Sequence, residues 1–451
     1  MKHLILGNGP TGVIAAETLR KADRDCEIVM IGAEPEPPYS RMAIPYLLEG
    51  NIDESGTYLR KSTGHFTALR IENRIGVATA VDPSKKTVTF ADGSSETYDK
   101  LLIATGSHPI CPPIPGADLP HVHTCWTLAD ARAIASRATT GTRVLQLGAG
   151  FIGSIILEAL AKRGVELTVV ELGDRMVPRM MTPKAGAMIK HWVEAKGVRV
   201  LTNAKVERID PINAEDPSLL TKLQGLFRQP SSDTASSAML VTLSTGQVIE
   251  CDLVILSAGV RPNVSFLEGS GVRVAQGVLT DRQMRSSVPD IFAAGDVAEA
   301  PDLFSGAPMV SAIQPNAADQ ARIAALNMVG KTVHHGGVMA INVLDTLGLI
   351  SSSFGQWEGT AGGDSVEFAD SDTSRYISLQ FRDDVLIGAT AIGLTQHVGV
   401  LRGLIQAQVS LGEWKHALLS DPFRAMDAYL ASTQKPGVLN DQHHGHAQAV
   451  R

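Results

Sequence analysis

Two glycine-rich turns are the stretches of this chain whose residue types and spacing can do chemistry. The first, Gly7-Asn8-Gly9-Pro10-Thr11-Gly12, follows the apolar run His3-Leu4-Ile5-Leu6 and leads into a helical pattern over Val13 to Arg20. The second, Gly148-Ala149-Gly150-Phe151-Ile152-Gly153, follows Arg143-Val144-Leu145-Gln146-Leu147 and leads into Ser154 to Lys162. In such a turn the first glycine permits the tight bend, the second lets backbone approach a pyrophosphate, and the third lets the helix pack close to the sheet. The free N–H groups and the positive end of the helix dipole then face the phosphates. An acid follows each turn at a distance that suits a ribose. The run Glu27 to Gly32 ends near Glu34, about 20 residues beyond the glycines. Leu167-Thr168-Val169-Val170 ends in Glu171, eighteen residues past Gly153.

Two such units imply two bound dinucleotides. Glu171 favours a free ribose diol and repels a 2′-phosphate, so NADH is preferred over NADPH at the second turn, a preference that Arg175 can soften. Arg41, in the proline-rich stretch Pro35 to Tyr46, is placed to pair with a pyrophosphate or to stand as a solvated charge. Asp296 closes the apolar run Ile291-Phe292-Ala293-Ala294-Gly295, where it can bond sugar hydroxyls beside a helix expected from Val297, or simply cap that helix. Cys26, Cys111, Cys125 and Cys251 are scattered, with no pairing that suggests a redox dithiol, an iron–sulfur site or a zinc knuckle. The tail histidines His443, His444 and His446 read as part of a disordered polar end rather than a metal site.

The elements that position these residues follow in chain order. Strands joined by hairpin turns are expected between Ile71 and Tyr98, and Lys100 to Ala104 is a buried strand ending at Thr105-Gly106-Ser107. Pro109, Pro112, Pro113 and Pro115 then mark a domain crossing. Residues 211–237 read as a surface insertion. Beyond a helix over Gln314 to Val329, strands are expected near Ile341-Leu344, Arg375-Phe381 and Val385-Ala391, with helices near His397-Ser410 and Trp414-Leu419. The 451 residues allow two to four domains at roughly 150 residues each. A net charge of -7 and a pI near 6.0 argue against a nucleic-acid surface. No apolar run reaches the ~18 residues of a membrane span. A first strand starting at Lys2 leaves no room for a secretory leader, so a cytoplasmic location is expected.

The ordered set formed by the two glycine turns, Leu102-Ile103-Ala104-Thr105-Gly106-Ser107 and Ile291 to Asp296 resembles the pyridine nucleotide-disulfide oxidoreductase superfamily. The resemblance implies an α/β fold of two nested Rossmann-like domains: an FAD-binding domain from 1–111 and 251–330, an NAD-binding domain from 112–250, a C-terminal α+β interface domain over 331–435, and a flexible tail over 436–451. It implies that Gly7, Gly9, Pro10, Thr11, Gly12, Glu34, Arg41, Ala80, Ala104, Thr105, Gly106, Gly295, Asp296 and Val297 bind FAD. It likewise gives Gly148, Gly150, Phe151, Ile152, Gly153, Glu171 and Gly259 to NADH, and a homodimer through residues 331–430. Pro38-Tyr39-Ser40-Arg41 resembles the ferredoxin and rubredoxin reductases and the flavin part of nitrite reductase. Met42 stands where coenzyme A-disulfide reductases and NADH oxidases carry a redox cysteine, so Met42 and Ala43 are expected beside the flavin with no thiolate to act as nucleophile. Ile155 replaces a glutamate common in the family, with Glu158 one turn on, and Trp126 replaces a common arginine. The implied activity passes electrons from NADH through FAD to an iron–sulfur protein, a partner reductase subunit or a quinone-like molecule. The alternatives are an NADH oxidase or disulfide or peroxide reductase, and a flavin-bearing subunit without turnover.

Overall fold

The computed structural model describes residues 1–212 and 238–433, so the insertion expected over 211–237 and the histidine tail lie almost wholly outside the described residues. The chain divides into two compact units, Met1–Met176 with Val193–Met339, and Val177–Trp192 with Ala340–Arg451.

Two five-stranded sheets organise the first unit. In the first sheet, strands run in the order Ile291–Ala293, Lys100–Ile103, Lys2–Leu6, Glu27–Gly32 and Ile71–Ile75, every pair parallel. Parallel sheets are covered on both faces, which is why their strands are continuous apolar runs. Leu4, Ile5, Leu101, Leu102 and Ile103 are fully buried. The second sheet repeats the plan, in the order Arg199–Leu201, Glu166–Val170, Arg143–Leu147, Leu253–Leu256 and Val122–Thr124, again all parallel. Because the strands of each sheet point the same way, each glycine turn sits at a carboxyl-terminal strand end beside the gap between two neighbours, where doubly wound sheets bind nucleotides.

Strand Leu253–Leu256 corrects the expected boundary at 250. Its four residues are buried and pair in register with Val144 to Leu147, so it lies inside the second sheet rather than returning to the first. The chain crosses between the sheets through an antiparallel ribbon, Ser107–Pro109 against Val260–Pro262. A second correction falls at Asp296, which no helix follows. Gly295 bends the chain at φ +81, Ala298 N–H donates to the Gly295 carbonyl, and Ala298–Pro301 continues as a strand.

The second unit carries one antiparallel sheet in the order Ile341–Thr346, Leu349–Gly355, Val385–Ile392, Arg375–Arg382 and Asp364–Asp370. Three of these strands match the sequence expectation. Leu349–Gly355 and Asp364–Asp370 escape it, because serines 351–353 and the acids Asp364, Glu367 and Asp370 are residue types depleted from strands or neutral to them. Register places Asn342, Ser353, Thr390, Ser378 and Glu367 in one row across all five strands. Helices Val398–Gln406 and Trp414–Ser420 stand where expected, and Ala425–Thr433 adds a third. Residues 331–339, expected in this region, belong to the first unit.

Candidate functional site

The first glycine turn is shaped by close packing of backbone on backbone. Gly7 sits at φ +111, and a Cβ there would fall 2.1 Å from the Ala104 carbonyl oxygen. A Cβ on Gly12 would fall 2.0 Å from the Gly7 oxygen, and one on Gly295 would meet Thr11 Oγ1 at 2.4 Å. Strand ends 103 and 293 are therefore pressed against the turn, with Ala104, Thr105, Gly295 and Asp296 delivered to it. Gly9 differs: it is extended, at φ -72 and ψ -170, and a Cβ there would meet nothing within 4 Å. It caps helix Pro10–Ala22 without a side chain, and Pro10 spends no N–H at the first helical position. The result is an open cradle at a helix N-terminus with no acid in its first turn.

Charged groups converge beside it. Arg41 Nη2 pairs with Glu34 Oε1 at 2.5 Å, the Tyr39 hydroxyl donates to Glu34 Oε2 at 2.6 Å, and Arg41 Nη1 donates to the Trp126 carbonyl at 2.7 Å. The Arg41 guanidinium also lies over the Trp126 ring, 5.3 Å from its centroid. Trp126 Nε1 donates to the Ser107 carbonyl and the Ser107 hydroxyl donates to Asp296 Oδ2, both at 2.9 Å. Desolvation pushes the Asp296 carboxyl above its ordinary range, against the pull of the Ser107 hydrogen bond. Asn263 fixes the adjoining loop, donating to the Thr105 carbonyl at 2.8 Å and accepting from its hydroxyl on its own carbonyl at 2.9 Å. Arg41, expected to face a pyrophosphate or solvent, is held between Glu34 and Trp126. Ala80 is exposed on strand Ala78–Asp82, whose three-stranded sheet follows the Gly76 N–H donated to the Gly32 carbonyl. Val297 is fully buried, while Met42 is half-exposed in the short 3-10 segment Arg41–Ala43.

The second turn repeats this backbone. Gly148 sits at φ +98, where a Cβ would fall 2.4 Å from the Ser257 oxygen, a Cβ on Gly153 would fall 2.4 Å from the Gly148 oxygen, and one on Gly150 would meet nothing within 4 Å. Phe151 and Ile152 open helix Phe151–Lys162, and Gly259 at φ +104 follows the neighbouring strand. Glu171 is buried, accepting Ala149 N–H on Oε2 and Gly173 N–H on Oε1, each at 2.7 Å. Register separates the two acids. Gly7 N–H donates to Ile31 and Gly148 N–H to Val170, so Glu171 is the counterpart of Gly32, and Glu34 lies two residues further on. Gln146, fully buried, donates from Nε2 to the carbonyls of Gly148 and Gly153 at 2.9 Å. Its one sequence signal is a polar residue within an otherwise apolar stretch, between Leu145 and Leu147. Glu158 pairs with Lys162 at 2.7 Å, and Lys162 with Glu49 at 3.1 Å, so its carboxylate is committed to an ion pair beside helix Ile44–Leu48.

The thiols stand apart from this chemistry. Cys26, Cys125 and Cys251 are buried, and burial pushes Cys125 and Cys251 up to about 12. His3, Asp23 and Cys26 bring ligand atoms within 4.8 Å of one another, but Arg20 Nη1 contacts Cys26 Sγ at 3.7 Å and sets a permanent cation against any metal ion there. Among the described residues no helix is long and apolar enough to cross a membrane.

Both turns fit a dinucleotide: each has an open cradle at a helix start and an acid nearby, and the first adds a second acid at Asp296. The comparisons agree. Residues 1–321 match the family model described as pyridine nucleotide-disulphide oxidoreductase. The chain is 30% identical over 425 residues to the NADH-dependent phenylglyoxylate dehydrogenase subunit epsilon of Aromatoleum evansii, covering 93% of this chain and 95% of that one. Among solved structures it resembles the ferredoxin reductase for the CYP199A2 system from Rhodopseudomonas palustris, with TM-score 0.74, 26% identity and coverage of 87% and 91%. The water-forming NADH oxidase from Lactobacillus brevis bound to NADH gives TM-score 0.79, 25% identity and coverage of 92% of both chains. This chain therefore belongs to the pyridine nucleotide-disulphide oxidoreductase family and is an FAD- and NAD(H)-dependent oxidoreductase.

Proposed function

We propose that the protein is an NADH:acceptor reductase whose acceptor is an iron–sulfur protein or an iron–sulfur-bearing partner subunit. The first turn would hold FAD, with Gly9 and the N–H groups after it at the pyrophosphate, Glu34 at the ribose, and Ala104, Thr105, Gly106, Gly295, Asp296 and Val297 along the rest. The second turn would hold NADH, with Glu171 at the ribose and Gly150, Phe151 and Ile152 at the phosphates. Bound FAD supplies the two-electron chemistry. The chain positions the two nucleotides and keeps charge in place: Asp296 holds the sugar hydroxyls, Ser107 orients Asp296, and Trp126 orients Ser107.

The observation that carries the choice of acceptor is residue 42. A thioether cannot act as the thiolate nucleophile that disulfide chemistry requires, and two of the three buried cysteines are held protonated at neutral pH by burial. With no thiolate at residue 42 to relay them, electrons would pass from the flavin to something outside the chain. The near full-length match to a subunit of an NADH-dependent dehydrogenase and the likeness to a ferredoxin reductase support a protein in that role. The family resemblance alone supports a homodimer joined through residues 331–430.

The test is anaerobic addition of NADH to the purified flavoprotein, followed by air or by a plant-type ferredoxin with cytochrome c. Flavin bleaching with slow oxygen uptake and ferredoxin-dependent cytochrome reduction is expected. Rapid oxygen consumption without ferredoxin would make it an oxidase, and no bleaching would make it a subunit without turnover.

A further inference from the structure

We infer that Gln146 is a positioning residue for the nicotinamide nucleotide, its side-chain amide fixing the second glycine turn in the shape that presents backbone N–H groups to a pyrophosphate. The inference rests on reading that turn as the NAD(H) site. Gln146 is the fourth of the five residues of strand Arg143–Leu147 and has no exposed surface. Its Nε2 donates to the carbonyls of Gly148 and Gly153, the first and last glycines of the turn. Both partners are acceptors, so the amide orientation is fixed, and Oε1 is left buried without a hydrogen-bond partner.

An orphaned buried amide oxygen lowers stability, so packing does not explain the residue. The first sheet shows what packing needs here. Ile5 stands two residues before Gly7 as Gln146 stands two before Gly148, and it pairs with Met30 and Leu102 as Gln146 pairs with Val169 and Ile255. The Ile5 Cγ2 lies 3.4 Å from where a Gly12 Cβ would be, and the Gln146 Nε2 lies 3.1 Å from the matching point on Gly153. An aliphatic side chain fills the space; the amide adds a clip between the bend and the first turn of helix Phe151–Lys162. Glu171 closes the opposite side by accepting Ala149 N–H. With its neighbours fixed from both sides, Gly150 remains the open point of the turn. A turn already held in its binding shape loses less entropy when a ligand docks.

The test uses the FAD-loaded full-length protein with Gln146→Leu and with the slimmer, unbranched Gln146→Met, so that one misfolded variant does not decide it. ADP-ribose and NAD⁺ binding are measured by calorimetry, flavin content by absorbance, and anaerobic flavin bleaching against NADH concentration. We expect ADP-ribose to bind about tenfold more weakly, flavin content to be unchanged, and the half-saturating NADH concentration to rise while the limiting bleaching rate holds. Wild-type affinity in both variants overturns the inference, as does a loss of affinity matched by an equal loss of flavin, which would mark a purely structural role. Wild-type protein that binds no ADP-ribose overturns the reading of the second turn, and the inference with it.

Discussion

Gly9 and Gly150 have almost the same backbone, φ -72 and ψ -170 against φ -73 and ψ -168, yet the two turns they open are secured in different ways. Both turns take a neighbouring strand end, Ala104 on Gly7 and Ser257 on Gly148, but the first is framed by further distant segments: Gly295 packs on Thr11, and Asn263, Ser107 and Trp126 tie the surrounding loops together. The second is laced largely by residues from its own strand–turn–helix–strand unit, chiefly Gln146 and Glu171. A site built from many long-range segments encloses its ligand as the domain folds, which suits a cofactor that stays. A site pre-shaped by local side chains binds and releases without disturbing the rest, which suits a substrate that turns over.

The sharpest way to break this comparison is a reciprocal pair, Gly9→Val and Gly150→Val. Both positions are extended and open, so both variants should fold. Each should lose its own ligand by about 100-fold or more, the effect of losing two hydrogen bonds to a charged pyrophosphate. Gly9→Val should purify colourless, and Gly150→Val should purify yellow but unresponsive to NADH; absorbance and anaerobic titration decide, and the reverse assignment would exchange the two sites.

A smaller effect is expected at Glu171→Gln, which weakens one contact to a ribose. The KM for NADH should rise about tenfold and the gap to NADPH should narrow; steady-state kinetics with both nucleotides would show an unchanged ratio if Glu171 only braces its own turn.

The smallest change is in stability, at Asp296→Asn. Burial raises the Asp296 pKa, so the folded state holds this proton more tightly than the unfolded chain does. The stability this contributes is present below the ordinary carboxyl value and is lost as pH rises through the raised folded value. The flavin-free variant should therefore melt about 2 °C higher than flavin-free wild type at pH 7, with the difference shrinking as pH falls toward the ordinary carboxyl value of 3.8. The same variant should retain FAD less well. Thermal melts of flavin-free protein across that range, with absorbance for retention, would expose a constant difference if the carboxyl is not desolvated.

Much of the fold could be read from the chain because parallel strands buried on both faces must be apolar throughout, and Leu4, Ile5, Leu102 and Val169 advertise that directly. The glycine spacing likewise announced both turns. Several features escaped. Strand Leu253–Leu256 looked like the start of a return to the first sheet, because nothing in a short apolar run says which sheet it joins. The helix expected at Val297 did not form, because Gly295 at φ +81 commits the chain to a turn and a strand. Leu349–Gly355 hid behind three serines that the second unit buries.

Local spacing by itself determined that this chain has two nucleotide turns, each with an acid downstream, since glycine freedom and strand apolarity act over a few residues. Only the tertiary structure decided that Arg41 is held by Glu34 and Trp126, that Glu171 and Glu34 are out of register, and that Gln146 clips its turn. Those outcomes depend on which strand ends meet, and on the hydrogen-bond partners that burial leaves available to each polar group.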